Sequence, residues 1–347
     1  MVLTRSATRA HNSIIRWLPN EILSAVISEA SIPDLVVLCR TSRLICKIAT
    51  PVLYRVISLS TVAQIEDFLQ TMSLHSGLSC HVREFSFEYE VPNLALTSHL
   101  VESITAALFQ FRHLECLDLL RNQSIEFTDM LHHAHFPNLR AFRYCVQSDD
   151  SAPLVAFLNR HPTITELALN KSGPFEHLAP IHLPNLECYT GTNSFIIAFK
   201  LHSRSIRRAR LFWHATDEDV DTPLLHLGSA GSLHAITVIF PSTDFKERNF
   251  LRAMATHLPH VKSIGFWNAC GGFPSRADTL EIATHLKEFG ALSFLGFYAA
   301  EVEHNPNDER EIVLAWSAAC KTLVSVYMNG RRWTPADGHW ADEPYRI

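Results

Sequence analysis

The sequence predicts an α/β fold in which a short helical segment precedes a solenoid of parallel strands with helices on its outer side. Two patterns predict it: amphipathic helical spacing near the N-terminus, and an apolar spacing that recurs at intervals of about 20 to 32 residues along the rest of the chain. The 347 residues are 47% hydrophobic and 19% charged, which is the composition of a globular protein with a large core.

The N-terminal region reads as two or three short helices that begin near Pro19. The apolar residues of the first helix share one stripe: Ile22, Leu23, Val26 and Ile27. Apolar residues then repeat at helical spacing from Leu35 to Ile48, and Thr50-Pro51 is predicted to end the run. Because so few short helices bury little apolar surface on their own, we expect this segment to dock on something else.

The order Leu-Pro-x-Glu-Ile-Leu, then Ile-Pro-Asp-Leu, then a basic and apolar helix ending in Leu-Tyr-Arg resembles the F-box, in particular that of basidiomycete (mushroom-forming) fungi. The resemblance covers about the first sixth of the chain and implies an F-box at residues 14–53. It implies binding to a Skp-type adaptor, and through it to the cullin and RING subunits of a ubiquitin ligase. The adaptor-binding residues that it implies are Leu18, Pro19, Ile22, Leu23, Leu38 and Ile45.

Many family members have Trp where this chain has Ile45. A different interpretation of the N-terminal stripe is that it forms a core face of the domain that follows. The two interpretations differ in whether Leu18, Ile22, Leu23 and Val26 are left open to a partner or are buried against the first repeat.

Residues 1–13 are predicted to be a disordered arm. The start MVLTRSATRAHNSIIRW lacks acidic residues and also resembles a mitochondrial presequence, but a short F-box leader has similar composition and is the favoured interpretation. No apolar run approaches the ~20 residues that span a bilayer. Eight scattered cysteines without a Cys-x-x-Cys pair are interpreted as buried free thiols of a reducing compartment, and the resemblance implies a cytoplasmic or nuclear location.

A repeat organises the remainder of the chain. Leu114, Leu117, Leu119 and Asn122 follow the pattern Leu-x-x-Leu-x-Leu-x-x-Asn, the leucine-rich-repeat signature. Looser copies of the apolar spacing begin at Tyr54, Val82, Leu139, Ile164, Leu186, Ile206, Leu233, Val261, Leu292 and Leu323. We therefore predict a leucine-rich-repeat-like solenoid over residues 54–328, with residues 329–347 as a tail that caps the last repeat.

The sequence contains no motif for catalysis, and we expect no cofactor. His132, His133 and His135 form the densest histidine cluster, but without a matching carboxylate or Cys it reads better as a solvated turn than as a metal site. Gly271-Gly272 lacks the rest of a phosphate loop, and the acidic run from Asp217 to Asp221 reads as a solvated loop. An enzyme on an α/β sheet is therefore the weakest interpretation. A net charge of −5 with scattered basic residues also argues against nucleic acid.

Strand alternation predicts which residues face away from the core. If Leu117 and Leu119 point inward, the intervening residues of every strand form an open face, although a register shift of one residue would invert this set. The candidate target-binding residues on that face are Arg208, Arg210, Phe212, Trp267 and Tyr298. The other interpretation is that the aromatic residues pack on neighbouring loops or on the tail.

These observations predict a non-catalytic protein: the substrate receptor of a Skp, cullin and F-box ubiquitin ligase, which binds the adaptor through its F-box and a target protein through its repeats. The alternative is a leucine-rich-repeat interaction scaffold without a ligase role, in which the N-terminal helices serve only as a cap.

Overall fold

The structure is a computed structural model. It describes residues 19–87, 98–120, 127–147, 150–171, 178–199, 205–214, 217, 219–229, 231–240, 247–269, 276–299, 306–328, 330–336 and 339–344. The chain divides into two compact units, one formed by Met1–Asp118 with Phe136–Leu139 and the other by Leu119–His135 with Arg140–Ile347. Among the described residues, the strands of each unit follow one another in chain order, pair mostly in parallel and alternate with helices. The predicted α/β architecture, with a helical N-terminus and leucine-rich-repeat-like strands, is confirmed.

From Pro19 onward, the described part of the first unit has three helices, followed by strands and helices in alternation. Its elements are α1 (Asn20–Ser28), α2 (Ile32–Cys39), α3 (Arg43–Leu53), β1 (Val56–Leu59), α4 (Val62–Leu74), a 3₁₀ helix (Ser76–His81), β2 (Glu84–Phe87), α5 (Ser98–Leu108) and β3 (Cys116–Leu119), whose last residue falls in the second unit. The side chains of Ser31, Ser42 and Thr61 cap α2, α3 and α4 by accepting a backbone N–H bond. Strands β1, β2 and β3 pair in parallel.

The prediction that Thr50-Pro51 ends the helical run is wrong, because α3 continues through Pro51 to Leu53. Pro51 lies in the last turn, so its missing N–H removes a single hydrogen bond close to the helix end. The hydroxyl of Thr50 donates to the Cys46 carbonyl at 2.7 Å and reinforces the helical turn that leads to the proline.

The first unit has two apolar clusters. One holds α1, α2 and α3 together around the buried side chains of Ile27, Leu35 and Ala49. The other contains an aromatic triangle in which Phe68 lies 6.0 Å from Phe85 and 6.2 Å from Phe111, with 5.7 Å between the latter two ring centroids. In each cluster, helices pack against one another or against strands. Helices of this length are not stable alone in water, so they depend on such packing.

The second unit repeats strand and helix along its length. Its elements are α6 (Thr128–His133), β4 (Ala141–Cys145), α7 (Ala152–Arg160), β5 (Glu166–Asn170), β6 (Cys188–Thr192), α8 (Asn193–Ala198), β7 (Arg208–Phe212), α9 (Asp221–Ser229), β8 (Ala235–Phe240), α10 (Glu247–His257), β9 (Ser263–Asn268), α11 (Arg276–Leu286), β10 (Phe294–Ala299), α12 (Pro306–Ala319), β11 (Ser325–Met328), β12 (Arg331–Ala336) and β13 (His339–Pro344). Strands β4 to β11 pair in parallel, each with the next.

One backbone contact recurs at the start of the strands. The Arg140 carbonyl accepts hydrogen bonds from the N–H groups of Thr165 and Glu166, at 2.8 and 2.9 Å. Six further carbonyls each accept two successive N–H groups from the start of the next strand in the same way: those of Thr165, Glu187, Arg207, His234, Lys262 and Ser293. These main-chain bonds fix the register of each repeat on its neighbour, and the hydroxyls of Thr165 and Ser293 add a bond to the carbonyls of Arg140 and Lys262.

Inward-pointing strand residues contact the helices of the second unit. Phe142 lies 4.7 Å from Phe157 of α7, Phe240 lies 5.3 Å from Phe250 of α10, and Phe297 lies 5.3 Å from Trp316 of α12, measured between ring centroids. Each predicted repeat has three positions in the spacing apolar-x-x-apolar-x-apolar. From β4 to β11, the second and third of these positions are buried in every repeat. The apolar spacing read from the sequence therefore identifies the core side of these strands.

The C-terminal tail takes a form that the sequence did not predict. Strand β12 pairs antiparallel with β11, and β13 pairs antiparallel with β12. The side chain of Trp333 is buried, and an Arg331–Asp342 ion pair joins the two hairpin strands. The tail thus continues the sheet as a hairpin beside β11.

Two further predictions need correction. His132 and His133 are exposed residues at the end of α6, so these two do not lie in a turn, and Asp221 begins α9 instead of continuing a loop. None of the seven described cysteines forms a disulfide, but only Cys145 and Cys320 are buried and Cys80 is exposed. The prediction that all of them are buried is therefore wrong, and Cys270 lies outside the described residues.

Gly191 marks a position in β6 where no side chain fits. A Cβ atom there would overlap the Leu169 carbonyl oxygen of the neighbouring strand and the hydroxyl of buried Tyr189, which donates to the Thr192 carbonyl. We expect Gly191→Ala to lower the free energy of unfolding by about 2 kcal/mol or more, because the backbone of β5 cannot move aside cheaply.

Urea denaturation of the full chain measures this loss. The matched control is Gly77→Ala, because a Cβ at Gly77 meets no atom within 4 Å. Equal stabilities for the two variants would contradict this account of β6.

His161 is a buried histidine at the end of α7. It is 1% exposed, its Nδ1 lies 2.7 Å from the Phe157 carbonyl oxygen, and its ring lies 5.5 Å from that of His135. Burial lowers the pKa of His161 from 6.5 to about 4. The folded chain therefore keeps His161 neutral at pH values where the unfolded chain protonates it.

We expect His161 to lower the free energy of unfolding by up to about 3 kcal/mol as the pH falls from about 6.5 to about 4, because the unfolded chain then binds a proton that the folded chain does not. Above a pH of about 6.5 this loss of stability is absent. His161→Asn retains a donor toward the Phe157 carbonyl but does not titrate, so it should flatten the pH dependence of unfolding. Denaturation at pH 7.5 and pH 4.5 tests this, with exposed His113→Asn as control. An unchanged pH dependence in His161→Asn would refute it.

Candidate protein-interaction surfaces

The first candidate surface consists of aliphatic side chains that α1, α2 and α3 leave open to solvent. Six of them are between 38% and 65% exposed, and we call this set the helical surface: Ile22, Val26, Ile32, Val36, Val37 and Leu44. Single exposed aliphatic residues are ordinary on a protein surface, but six of them on three short helices are not.

The exposed and buried residues of these helices belong to different faces. On α1, Ile22 and Val26 are four residues apart and share a face, whereas the neighbouring Ile27 points into the cluster. On α2, Leu35 points into the cluster while Val36 and Val37 are exposed. The segment therefore uses one apolar face to hold itself together and leaves a second face uncovered.

The six residues expected to bind the adaptor have different environments. Leu18 lies outside the described residues. Pro19 is exposed, and its carbonyl accepts the first N–H bonds of α1; Ile22 is half exposed, and Leu23 is partly buried. Leu38 and Ile45 are partly buried and pack against the cluster of Ile27, Leu35 and Ala49.

Five members of the helical surface were not among the expected adaptor-binding residues: Val26, Ile32, Val36, Val37 and Leu44. The sequence does contain a signal for those on α2. The run Leu35-Val36-Val37-Leu38-Cys39 is apolar on every side of the helix, and such a helix is normally covered all round. Internal packing covers only part of it.

The second candidate surface is the side of the strands that points away from the core, which we call the open face. Along β7, Ala209 and Leu211 are buried, Arg208 and Arg210 are exposed, and Phe212 is half buried. The five candidate target-binding residues, Arg208, Arg210, Phe212, Trp267 and Tyr298, are all on this face, and we call them the arginine–aromatic patch.

Register places the aromatic members of the patch in one row. Phe212 is directly opposite Ile239, Ile239 is opposite Trp267, and Trp267 is opposite Tyr298. Neighbouring strands are ~4.8 Å apart, so the row extends for about 14 Å. Trp267 is 46% exposed, and its ring centroid lies 6.1 Å from that of Tyr298. The Tyr298 ring stacks in turn on Tyr327 of β11 at 4.3 Å.

Small residues separate the arginines from the aromatic rings of β10. At the positions in register with Arg208 and Arg210, strands β8 and β9 carry short side chains or none. These four residues form the floor of a depression that we call the trough: Ala235, Thr237, Ser263 and Gly265. The next residues across the sheet are Phe294 and Gly296 of β10. A Cβ atom at Gly296 would be 2.9 Å from the rings of both Phe294 and Tyr298, so these two rings lean over the glycine and form one wall of the trough.

The opposite wall of the trough is positively charged. Arg208 and Arg210 are exposed, and Nε of Arg208 donates to Cys188 Sγ at 3.1 Å. Among the described open-face positions of β7 to β11 there is no acidic residue. The acidic residue Glu166 of β5 is opposite Cys188 of β6. Its Oε2 atom lies 3.9 Å from Nη2 of Arg143, with which it forms an ion pair.

Other kinds of site receive little support from the described part of the chain. No group of three or more His, Cys, Asp or Glu residues there has the arrangement of a metal site. Within the same residues, no helix combines the length and the hydropathy needed to cross a bilayer.

No protein-family model matches the chain, and no curated protein matches it. Among solved structures, a protein from Bacteroides fragilis determined by a structural genomics consortium is similar over 78% of this chain and 73% of its own, with 13% sequence identity and a TM-score of 0.44. A likeness at that level carries no argument about function.

The wall formed by Phe294 and Tyr298 can be tested through Gly296. We expect Gly296→Ala to displace both ring ends and change the near-ultraviolet circular dichroism spectrum. The free energy of unfolding should fall by less than about 1 kcal/mol, because ring ends move more easily than backbone. Gly290→Ala is the control, since a Cβ there meets no atom within 4 Å. A spectrum that is unchanged in Gly296→Ala would contradict the packing described here.

Proposed function

We propose that this chain is the substrate-receptor subunit of a Skp, cullin and F-box ubiquitin ligase. In this proposal the helical surface binds a Skp-type adaptor and the arginine–aromatic patch binds a target protein. The single observation that carries the proposal is the exposure of Ile22 and Val26, which lie on the stripe that an adaptor would cover and a self-contained scaffold would bury. The F-box resemblance of residues 14–53 supplies the identity of the partner.

The size of the helical surface is sufficient for a specific contact. Burying a fully exposed aliphatic side chain contributes roughly 1.5–3 kcal/mol, so covering six that are about half exposed contributes on the order of 5 kcal/mol before the cost of association. Leu38 and Ile45 are partly used by internal packing and would add less than their exposed neighbours. Val36 and Val37 would compensate by adding contact area on α2.

The proposed role is positioning without catalysis. By the F-box resemblance, other subunits carry out ubiquitin transfer in the cytoplasm or nucleus. A chain with one surface for the adaptor and another for the target raises the effective concentration of target lysines near the charged enzyme. No catalytic group is required of the receptor itself.

The second candidate function is an interaction scaffold without a ligase role. One observation favours it: α1, α2 and α3 fall in the same compact unit as β1, β2 and most of β3, as they would if they were a cap on the first repeats. A cap, however, has no need for uncovered aliphatic residues such as Val26 and Val37.

The adaptor contact is tested by co-expressing the full chain with a fungal Skp-type adaptor and analysing the product by size-exclusion chromatography. We expect a 1:1 complex with the unmodified chain and none with the double variant Ile22→Asp, Val26→Asp, because two charges in a dry interface remain unpaired. Since both positions are exposed, the thermal unfolding temperature should change little.

Two further variants make the result specific. Leu74→Asp on α4 adds the same charge at an exposed leucine outside the helical surface and should leave the complex intact. Leu35→Asp places charge inside the helical cluster and should lower stability as well as binding. An unmodified chain that is folded and monomeric beside the adaptor would reject the receptor proposal in favour of the scaffold.

A further inference from the structure

We infer that the arginine–aromatic patch and its trough bind an extended acidic peptide segment in which an aromatic or large aliphatic side chain follows the acidic residue at close range. This inference names the class of target for the face described above and rests on the proposed function only in treating that face as the target site. The argument depends on the charge, the spacing and the shape of the trough.

Charge selects an anionic group at the β7 wall. Arg208 and Arg210 alternate along one strand, so their Cα atoms are about 7 Å apart and both side chains rise from the open face. No acidic side chain occupies the described open-face positions of β7 to β11, and Glu166 is already paired with Arg143. A carboxylate above β7 therefore meets two guanidinium groups, which bind carboxylates through charge-assisted and often bidentate hydrogen bonds.

Shape selects an apolar group at the opposite wall. The rings of Phe294 and Tyr298 lean over Gly296, and Trp267 is exposed beside Tyr298. Between this wall and the arginines the floor consists of short side chains and of Gly265, beside which the Thr237 side chain packs, so the floor lies below the tops of the two walls. Buried aromatic anchors of this kind contribute most of the binding energy in many protein interfaces.

Spacing sets the form of the ligand. Strands β7 and β10 are three strand intervals apart, or about 14 Å. Nε of Arg208 donates to Cys188 Sγ of β6, on the side of β7 away from β10, so the two ligand groups are separated by about 14 Å, which an extended chain covers in about four residues. An acidic residue followed about four positions later by Trp, Phe or Leu satisfies both walls at once.

A peptide fits these features better than single-stranded nucleic acid. Nucleic-acid grooves track a phosphate backbone with a series of cations, whereas this face offers two arginines together on one strand and the chain carries a net charge of −5. A single charged group beside an apolar anchor is the composition of an acidic peptide motif.

The test is selection of a random dodecapeptide phage library on the immobilised full chain, followed by fluorescence polarisation with the enriched peptide. We expect enrichment of Asp or Glu about four positions from Trp, Phe or Leu. The double variant Arg208→Glu, Arg210→Glu should weaken the selected peptide by about tenfold or more, and Trp267→Ala should do the same. Binding to the unmodified chain should also weaken as salt is raised.

Matched controls change the same chemistry elsewhere in the second unit. Arg252→Glu with Lys287→Glu makes the same change in net charge at two exposed residues outside the open face, and Leu314→Ala removes an exposed apolar side chain from α12. Both should retain the peptide. Selection of basic or unrelated sequences, no enrichment, retention of the peptide by the patch variants, or tighter binding of a dodecamer of deoxythymidine would overturn the inference. Because no adaptor is present, these outcomes are independent of whether the adaptor binds.

Discussion

Main-chain pairing between successive parallel strands is the constraint on which this structure depends. No strand of the repeat satisfies its own N–H and C=O groups, so each must find partners in the strands beside it. The carbonyl before a strand accepts two N–H groups from the next repeat, as Arg140 does toward Thr165 and Glu166. Because these N–H bonds use no side chain, they tolerate the degenerate sequence of the repeats and still hold every strand in the same register.

Constant register converts a periodic sequence into ordered rows of side chains. One set of rows points to the helices and forms the core, and the intervening set forms the open face. Phe212, Trp267 and Tyr298 are therefore aligned although they come from three strands far apart in the chain. Gly265 and Gly296 matter for the same reason, since a residue without a side chain, at a fixed register position, lets the neighbouring side chains close over it: Thr237 at Gly265, and the rings of Phe294 and Tyr298 at Gly296.

The sequence predicts best the features that depend on periodicity. The inward residues of β4 to β11 and the alternation in β7 were readable because burial on one side of a strand leaves a period of two. Features decided by tertiary contact were not readable. The β12–β13 hairpin, for example, depends on the edge that β11 offers for pairing and on burial of Trp333. For the helices α1 to α3, pattern shows which residues are apolar but not which of two apolar faces packs internally; Leu38 and Ile45 pack on the cluster, whereas Val36 and Val37 are exposed.

The two candidate surfaces rely on different physical interactions, and this difference bears on how a receptor of this kind would work. The helical surface is aliphatic, so the free energy of the proposed adaptor contact would come from apolar burial and would depend little on ionic strength. The arginine–aromatic patch combines charge with aromatic rings, so in the proposed target contact long-range attraction would speed encounter, while Trp267 and its neighbours would slow dissociation. A link that is insensitive to salt suits a permanent subunit contact, and a link in which charge contributes to affinity suits exchange of targets. In the proposed receptor, the surface formed by Ile22 and Val26 would therefore be the durable connection, and the face bearing Arg208 and Arg210 the exchangeable one.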